Sequence, residues 1–139
     1  ALDLPIMTIC STCQGVMSQA THRLKNEEYR AQVNSYLADE GLEYRGNARP
    51  KHLLWVLVED YGLDKLTPLI TRPLAGVRLA PFYGCYIVRP TDALEFEENS
   101  KRQDSLETLI ETLGATVVDF SGKTRCCGFP ILTINYDCT

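Results

Sequence analysis

Two adjacent cysteines, Cys126 and Cys127, constrain this chain more than any other feature of its sequence. On a strand their side chains point to opposite faces, and on a helix they diverge by about a quarter turn. Neither arrangement readily lets both sulfurs close on one small tetrahedral ion. Two neighbouring thiolates also repel each other, so holding both ionised requires nearby positive charge, most simply a metal. A cluster with several irons offers each sulfur its own attachment point, and the pair is therefore the best indication of function.

The composition fits one ordinary domain. The chain has 139 residues, 45% of them hydrophobic, and can bury a normal core. Its net charge of −4 gives no general attraction for nucleic acid or for an anionic membrane. The densest apolar run, from Leu53 to Val58, is far too short to cross a bilayer. No signal peptide is visible and no initiating Met is present, so we expect a fragment of a longer, cytoplasmic protein.

Six cysteines are many for this length, and they are Cys10, Cys13, Cys85, Cys126, Cys127 and Cys138. An even number invites a disulfide framework. However, the chain has enough apolar residues to fold without such cross-links, and nothing marks it as secreted. We therefore favour metal or redox chemistry in a reducing compartment. Cys138 matches no motif and is interpreted as structural or incidental.

The hydrophobic pattern alternates between short strands and helices. Strands are predicted at 5–9, 77–82 and 115–120, the first of them buried, and helices at 11–20, 27–38, 52–61 and 100–113. The last helix opens with Ser100-Lys-Arg-Gln103, which resembles a capping box. The alternation predicts a layered α/β domain with a mainly parallel sheet. The cysteines fall at or just beyond strand ends, where open α/β sheets carry their functional sites.

Cys10-Ser-Thr-Cys13 has the spacing of a chelating pair, because one turn brings both sulfurs to the same side. The same spacing serves zinc, iron–sulfur clusters and thioredoxin-like exchange. A zinc site would want two more ligands, for which His22 and His52 could be nominated. Neither histidine has a partner at zinc-finger spacing, so each is interpreted as an ordinary residue. Cys85, in a turn of small residues, has the alternative interpretation of an inert buried thiol.

Charged residues flank the cysteines. Arg89, Lys123 and Arg125 lie close in sequence to Cys85 or to the cysteine pair, where they would favour thiolates or an anionic cluster. Solvent-exposed surface charge explains them equally well. The three glutamates between residues 95 and 98 are interpreted as a solvated loop, because carboxylate catalysis needs a facing partner that the sequence does not identify.

Two segments carry a family resemblance, Gly122-Lys-Thr-Arg-Cys-Cys-Gly-Phe-Pro130 and Pro81-Phe-Tyr-Gly-Cys-Tyr-Ile-Val-Arg-Pro90. Together they resemble the CCG domain, a cysteine-rich domain found in a subunit of heterodisulfide reductase. It is also found in related subunits of certain succinate dehydrogenases and fumarate reductases. The family pattern is a cysteine, a long spacer, Cys-Cys-Gly, a second long spacer and Cys-x-x-Cys, usually present twice in each polypeptide. The resemblance covers nearly the whole chain.

The resemblance implies a role for five cysteines, which are Cys10, Cys13, Cys85, Cys126 and Cys127. The first two match the closing Cys-x-x-Cys of a first repeat. The other three match the opening cysteine and the Cys-Cys-Gly of a second repeat, and are the implied catalytic residues. In the family, five such cysteines per repeat can hold a noncubane [4Fe-4S] cluster. Two such clusters flank the site where a disulfide is cleaved.

On this pattern, residues 1–139 are expected to form a single CCG-type domain. Residues 1–20 would close a first repeat, and residues from about 74 to 139 would open a second. Neither five-cysteine set is complete within the sequence, because only twelve residues follow Cys127. We therefore expect segments to be missing at both ends.

The resemblance implies an oxidoreductase subunit. It would be the iron–sulfur subunit of a heterodisulfide reductase-like complex or of a CCG-type succinate dehydrogenase or fumarate reductase. Electrons would pass from a ferredoxin-like iron–sulfur subunit and a flavoprotein subunit to a disulfide or toward a quinone. Such a protein would be cytoplasmic, or peripheral at the inner face of the cell membrane through its partners. Two other functions stay open: a structural zinc or interaction module, and a thiol–disulfide switch through Cys126 and Cys127.

Overall fold

Two pairs of parallel strands organise the structure, a computed structural model that describes residues 4–132, 134 and 135. Strand β1 (Ile6–Thr8) pairs with β2 (Pro50–His52), and β3 (Arg78–Leu79) pairs with β4 (Thr116–Val117). A parallel pair requires a crossover connection, and helices supply both crossovers. The α/β architecture with parallel strands is therefore confirmed. Within the described residues the strands form two separate two-stranded sheets rather than one continuous sheet.

Most of the remaining regular structure is helical. The α-helices are α1 (Ser11–Arg23), α2 (Glu27–Leu37), α3 (Leu53–Trp55), α4 (Leu63–Leu66), α5 (Thr91–Leu94), α6 (Ser100–Gln103) and α7 (Ser105–Thr112). Helix α3 continues as a π-helical segment, Val56–Tyr61, and short 3-10 turns lie at Ala38–Glu40, Thr67–Leu69 and Phe129–Ile131. The helices predicted at 11–20, 27–38 and 52–61 are confirmed, the last in this mixed form.

Side-chain caps fix where several helices begin. The Asn26 side chain accepts a hydrogen bond from the Tyr29 N–H at 2.8 Å, which starts α2. The capping box predicted at Ser100 is wrong. The residue that caps α6 is Asn99, whose side chain accepts from the Lys101 N–H at 3.1 Å. The predicted helix over 100–113 is divided between α6 and α7, which begins at Ser105.

The strands are shorter and more exposed than predicted. Strand β3 occupies two residues of the predicted range 77–82, because Pro81 has no N–H with which to extend a ladder. Strand β4 likewise occupies two residues of 115–120. The prediction that the first strand is buried is wrong, since Met7 is 59% exposed and only Thr8 is buried. Strand β1 has one pairing partner among the described residues, so its other edge is uncovered there.

The hydrophobic core lies behind the turn that carries Cys85. Its buried members are Leu54, Trp55, Tyr83, Ile87, Val88, Leu94 and Phe96. Tyr83, Ile87 and Val88 lie on either side of Cys85 in the chain, so the packed core anchors this turn from both directions. A half-buried ion network borders the core, in which Arg102 lies 4.3 Å over the Trp55 ring. No helix in the part of the chain that the structure describes is long and apolar enough to cross a membrane.

Candidate metal centre

Cys85 and Cys126 form the tightest pair of thiols, with their Sγ atoms 3.7 Å apart. Cys85 lies in a turn whose geometry depends on Gly84, which has a φ of 73°. The Cys85 carbonyl closes the turn by accepting hydrogen bonds from Val88 N–H at 3.1 Å and Arg89 N–H at 2.8 Å. Burial, followed by the neighbouring Cys126 thiol, raises the pKa of Cys85. Positive charge or a metal ion is therefore needed to hold Cys85 as a thiolate.

The loop that carries Cys126 is tied to the Cys85 turn by hydrogen bonds on either side of that turn. Tyr83 N–H donates to the Lys123 carbonyl at 2.8 Å, and Arg89 Nη1 donates to the Thr124 carbonyl at 3.2 Å. These bonds join segments about 40 residues apart in sequence. They bring the opening cysteine and the Cys-Cys-Gly together, which spacing alone did not establish.

Gly128 shows why a glycine follows the cysteine pair. Its φ of 83° lies in the left-handed region, where side chains other than glycine are strained. This conformation turns the Gly128 N–H back toward Cys126, whose Sγ accepts it at 3.4 Å. An N–H donated to sulfur stabilises the thiolate form. The glycine therefore supplies both the turn and a donor to the ligand.

A polar cluster behind the cysteines was missed by sequence reasoning. The Tyr83 hydroxyl donates to Glu107 and accepts from the Leu106 N–H at 2.9 Å, while Lys123 Nζ lies 2.7 Å from Glu107. Burial alone would raise the pKa of Glu107, but the hydrogen bonds from Lys123 and Tyr83 outweigh it, so the pKa is lowered. Burial and then Glu107 raise the pKa of Tyr83. The cluster fixes α7, the core and the cysteine loop to one another.

Cys10 and Cys13 lie together at the start of α1, as their spacing predicted. Cys10 is the N-cap residue, directly after β1, and both thiols are exposed. The backbone N–H of Cys13 is the largest influence that lowers the pKa of Cys10, while the hydrogen bond with Cys10 raises the pKa of Cys13. Two thiols at a helix start, one of them more acidic, are suited to binding a metal ion.

Gly15 connects the start of α1 to the Cys85 turn. A Cβ built on this buried residue would lie 2.4 Å from the backbone oxygen of Tyr86, the residue after Cys85. Only glycine allows such an approach. The two groups of cysteines therefore lie on segments in direct contact. Even so, no three Cys, His, Asp or Glu side chains converge into a preformed metal site among residues 4–132, 134 and 135.

The structure separates the nearby cations that the sequence could not tell apart. Lys123 is engaged by Glu107, and Arg89 bonds to the Cys126 loop. Arg125 is exposed on the surface of that loop, with its backbone N–H bonded to the Gly122 carbonyl at 3.0 Å. Cys127 is exposed, and Cys138 lies outside the described residues.

The other charged and imidazole side chains have ordinary surroundings. His52 caps α3, its Nδ1 accepting the Leu54 N–H at 3.2 Å. His22 lies 3.6 Å from Asp92. The glutamates between residues 95 and 98 are exposed, in agreement with the solvated loop that we predicted.

The fold and the thiols together define a class, an α/β domain that presents paired sulfur ligands on its loops and at a helix start. A comparison with protein families is more specific. Residues 79–138 match the family described as CCG, cysteine-rich domain. The matched segment contains Cys85, Cys126 and Cys127. The resemblance predicted from the sequence is therefore confirmed.

Relatives extend the similarity over most of the chain. It is 38% identical over 128 residues to the 8-methylmenaquinol:fumarate reductase membrane anchor subunit of Wolinella succinogenes, covering 92% of this chain and 44% of that protein. It is 36% identical over 124 residues to a subunit of the ferredoxin/F(420)H(2)-dependent CoB-CoM heterodisulfide reductase of Methanosarcina acetivorans, covering 88% and 41%. A protein of Archaeoglobus profundus that is like the same heterodisulfide reductase subunit is 35% identical over 131 residues, covering 93% and 44%. The chain thus spans less than half the length of these reductase relatives.

Proposed function

We propose that this chain is part of an iron–sulfur subunit that delivers electrons within a reductase complex of the heterodisulfide reductase or fumarate reductase type. The observation that carries the proposal is the 3.7 Å separation of the Cys85 and Cys126 sulfurs, with Cys127 next in the chain. Two thiolates bound at about 2.3 Å to one tetrahedral ion lie about 3.8 Å apart. The pair therefore has the spacing of two ligands on a single ion, and Cys127 would have to use another.

That arrangement favours a centre with several metal ions. Cys126 and Cys127 diverge from each other, so a third thiolate beside the Cys85–Cys126 pair calls for a second metal position. Cys10 and Cys13 would be ligands of a neighbouring centre, since α1 contacts the Cys85 turn through Gly15. Thiolates are the ligands that iron–sulfur clusters select. We therefore propose an iron–sulfur site, and a noncubane [4Fe-4S] cluster as its form in the complete subunit.

An iron–sulfur cluster supplies reversible electron transfer when bound, at a potential set by charge, burial and hydrogen bonds to sulfur. The chain's own residues control each of these. Gly128 donates its N–H to Cys126 Sγ, which favours the more negatively charged, reduced state. Tyr83, Ile87 and Val88 exclude water from behind Cys85. Arg89 places a cation beside the pair, where it favours the anionic state.

The partners and the acceptor follow from the same proposal. A ferredoxin-like iron–sulfur subunit and a flavoprotein subunit would supply electrons, and a disulfide or a quinone would receive them beside Cys85, Cys126 and Cys127. The relatives' names include both a heterodisulfide reductase and a menaquinol:fumarate reductase, so the two acceptors are compared directly in the assay. We place the complex in the cytoplasm or at the inner face of the cell membrane.

Iron and acid-labile sulfide analysis with EPR, on full-length protein prepared without oxygen, tests the proposal. Serine substitutions of Cys85, Cys126 and Cys127 are each expected to lower bound iron and to change the EPR signal. Cys138→Ser is the matched control, because Cys138 fits no part of the family pattern, and it is expected to keep both. Absence of stoichiometric iron after anaerobic reconstitution would overturn the proposal. Zinc held at one equivalent in its place would establish a structural zinc module instead.

A further inference from the structure

The separation of Cys85 and Cys126 depends on contacts between two loops that lie far apart in the sequence. The thiols are 41 residues apart, so no local turn sets their distance. Two hydrogen bonds link the loops. One joins Tyr83 N–H to the Lys123 carbonyl, and the other joins the Arg89 guanidinium to the Thr124 carbonyl.

The two links differ in how they are supported. Tyr83 is 4% exposed, and its hydroxyl is bonded to both Glu107 and Leu106, so the core holds this link in place. Arg89 has an exposed side chain that reaches across open surface. Its backbone N–H is fixed to the Cys85 carbonyl at 2.8 Å, so the guanidinium is referenced directly to Cys85. At its far end it holds Thr124, two residues before Cys126.

We propose that Arg89 is a positioning residue that holds Cys126 beside Cys85, so that the two sulfurs are preorganised for one metal ion. A guanidinium suits this task, because several donors in one rigid plane can hold a carbonyl while the charge remains close to the thiolates. The role in metal binding rests on the proposed function. The positioning itself is a property of the metal-free protein and is measured without metal.

The magnitude follows from the single bond. A hydrogen bond from a charged donor contributes about 1 kcal/mol at an exposed site, which corresponds to about a five-fold change in an equilibrium constant. Removing the Arg89 side chain is therefore expected to lower the effective concentration of the Cys126 thiol toward Cys85 by about five-fold. The Tyr83 link remains, so the two loops are not expected to separate completely.

Thiol–disulfide equilibrium with glutathione reads this effective concentration. Two protein thiols and oxidised glutathione give one protein disulfide and two molecules of reduced glutathione, so electrons and protons balance. The sulfurs must close from 3.7 Å to about 2.05 Å, so the equilibrium is sensitive to the position of the loops. Cys127→Ser and Cys138→Ser in the background leave Cys126 as the single thiol of its segment, and mass spectrometry of alkylated peptides counts the disulfide.

Arg89→Gln and Arg125→Gln form the matched pair of variants. Both remove one positive charge near the same cysteines, but only Arg89 is bonded across to the opposite loop. The Cys10–Cys13 pair in the same molecules is an internal control, because general loosening of the fold would shift both disulfide equilibria. We expect Arg89→Gln to lower the Cys85–Cys126 equilibrium constant by about five-fold and to leave the Cys10–Cys13 constant unchanged. Arg125→Gln should leave both constants unchanged.

Three results would overturn the proposal: no change in Arg89→Gln, an equal change in Arg125→Gln, or a parallel shift of the Cys10–Cys13 constant. Arg89→Lys adds a further test, since it keeps the charge and loses the rigid fork. Recovery of the full wild-type constant by lysine would assign the effect to charge rather than to positioning. If the disulfide result holds and the protein takes up no iron, the positioning role survives and the proposed function fails, so the two outcomes are distinguishable.

Discussion

Gly15→Ala sets two known effects against each other inside α1. Alanine favours a helix over glycine by about 1 kcal/mol, so the substitution would stabilise an isolated helix. In the folded protein the new Cβ would lie 2.4 Å from the Tyr86 backbone oxygen and 3.1 Å from its Cδ1. Real Cβ contacts of this kind are essentially never under 3.0 Å, so one backbone must move by at least 0.6 Å relative to the other.

Such overpacking costs about 1–3 kcal/mol, and a backbone oxygen places the cost toward the upper end because it cannot rotate away. After the gain in helix propensity, we expect a net loss of about 1–2 kcal/mol. For a chain of this length that is a fall in Tm of about 3–8 °C. Thermal and urea unfolding followed by circular dichroism measure it. Val16→Ala is the control, since Val16 is the next residue, is 54% exposed and should lose no stability.

An increase in the stability of Gly15→Ala by the helix-propensity amount would refute the reasoning. It would mean that α1 does not press against the Cys85 turn. The link between the two groups of cysteines would then be lost as well, because Gly15 and Tyr86 provide it.

Three further predictions concern the polar groups around the core. Arg102→Ala should destabilise by about 2–3 kcal/mol in urea unfolding, since Glu59 is left 12% exposed with Lys51 as its remaining partner, while Arg45→Ala, at an exposed pair, should cost less than about 0.5 kcal/mol. Burial alone would raise the pKa of Glu59, but hydrogen bonds from Arg102 and Lys51 lower it. The contribution of Glu59 to stability is thus complete above the unfolded value of 4.5 and is lost as pH falls through the folded pKa. Unfolding curves from about pH 7 to pH 3 should show a shallower acid loss for Glu59→Gln, and an unchanged slope would contradict the assignment. Tyr83→Phe should cost about 1–2 kcal/mol, because the Leu106 N–H and Glu107 each lose a partner; wild-type stability would show that water replaces the hydroxyl.

Local signals were sufficient to predict the longer helices. Apolar periodicity and the turn after Cys13 located α1 and α2 to within a few residues, because a helix is determined by its own side chains. The start of α6 was placed one residue late, since Asn99 and Ser100 are both good capping residues and tertiary contacts select between them. Strands of two or three residues carry too little pattern to bound from sequence, and the exposure of Met7 reflects the absence of a neighbour on that face among the described residues.

The candidate site was predictable only in part. Sequence spacing identified the Cys10–Cys13 pair, because its geometry is local. The approach of Cys85 to Cys126 came from the family resemblance, since a separation of 41 residues has no local signature. The Tyr83–Glu107–Lys123 cluster was missed because its members are 16 and 24 residues apart and none belongs to a motif. The need for Gly15 was invisible for the same reason: it comes from the residue that the helix contacts.

The two pairs of cysteines differ in when they come into being. Cys10 and Cys13 are within one turn of each other, and the first turn of α1 suffices to form that pair as the chain leaves the ribosome. The Cys85–Cys126 pair exists only after the crossover between β3 and β4 has closed, because both of its linking bonds span that crossover. Cofactor delivery in the cell must therefore follow tertiary folding at the second pair. Slow folding of the crossover would leave Cys126 and Cys127 unguarded against oxidation in the interval.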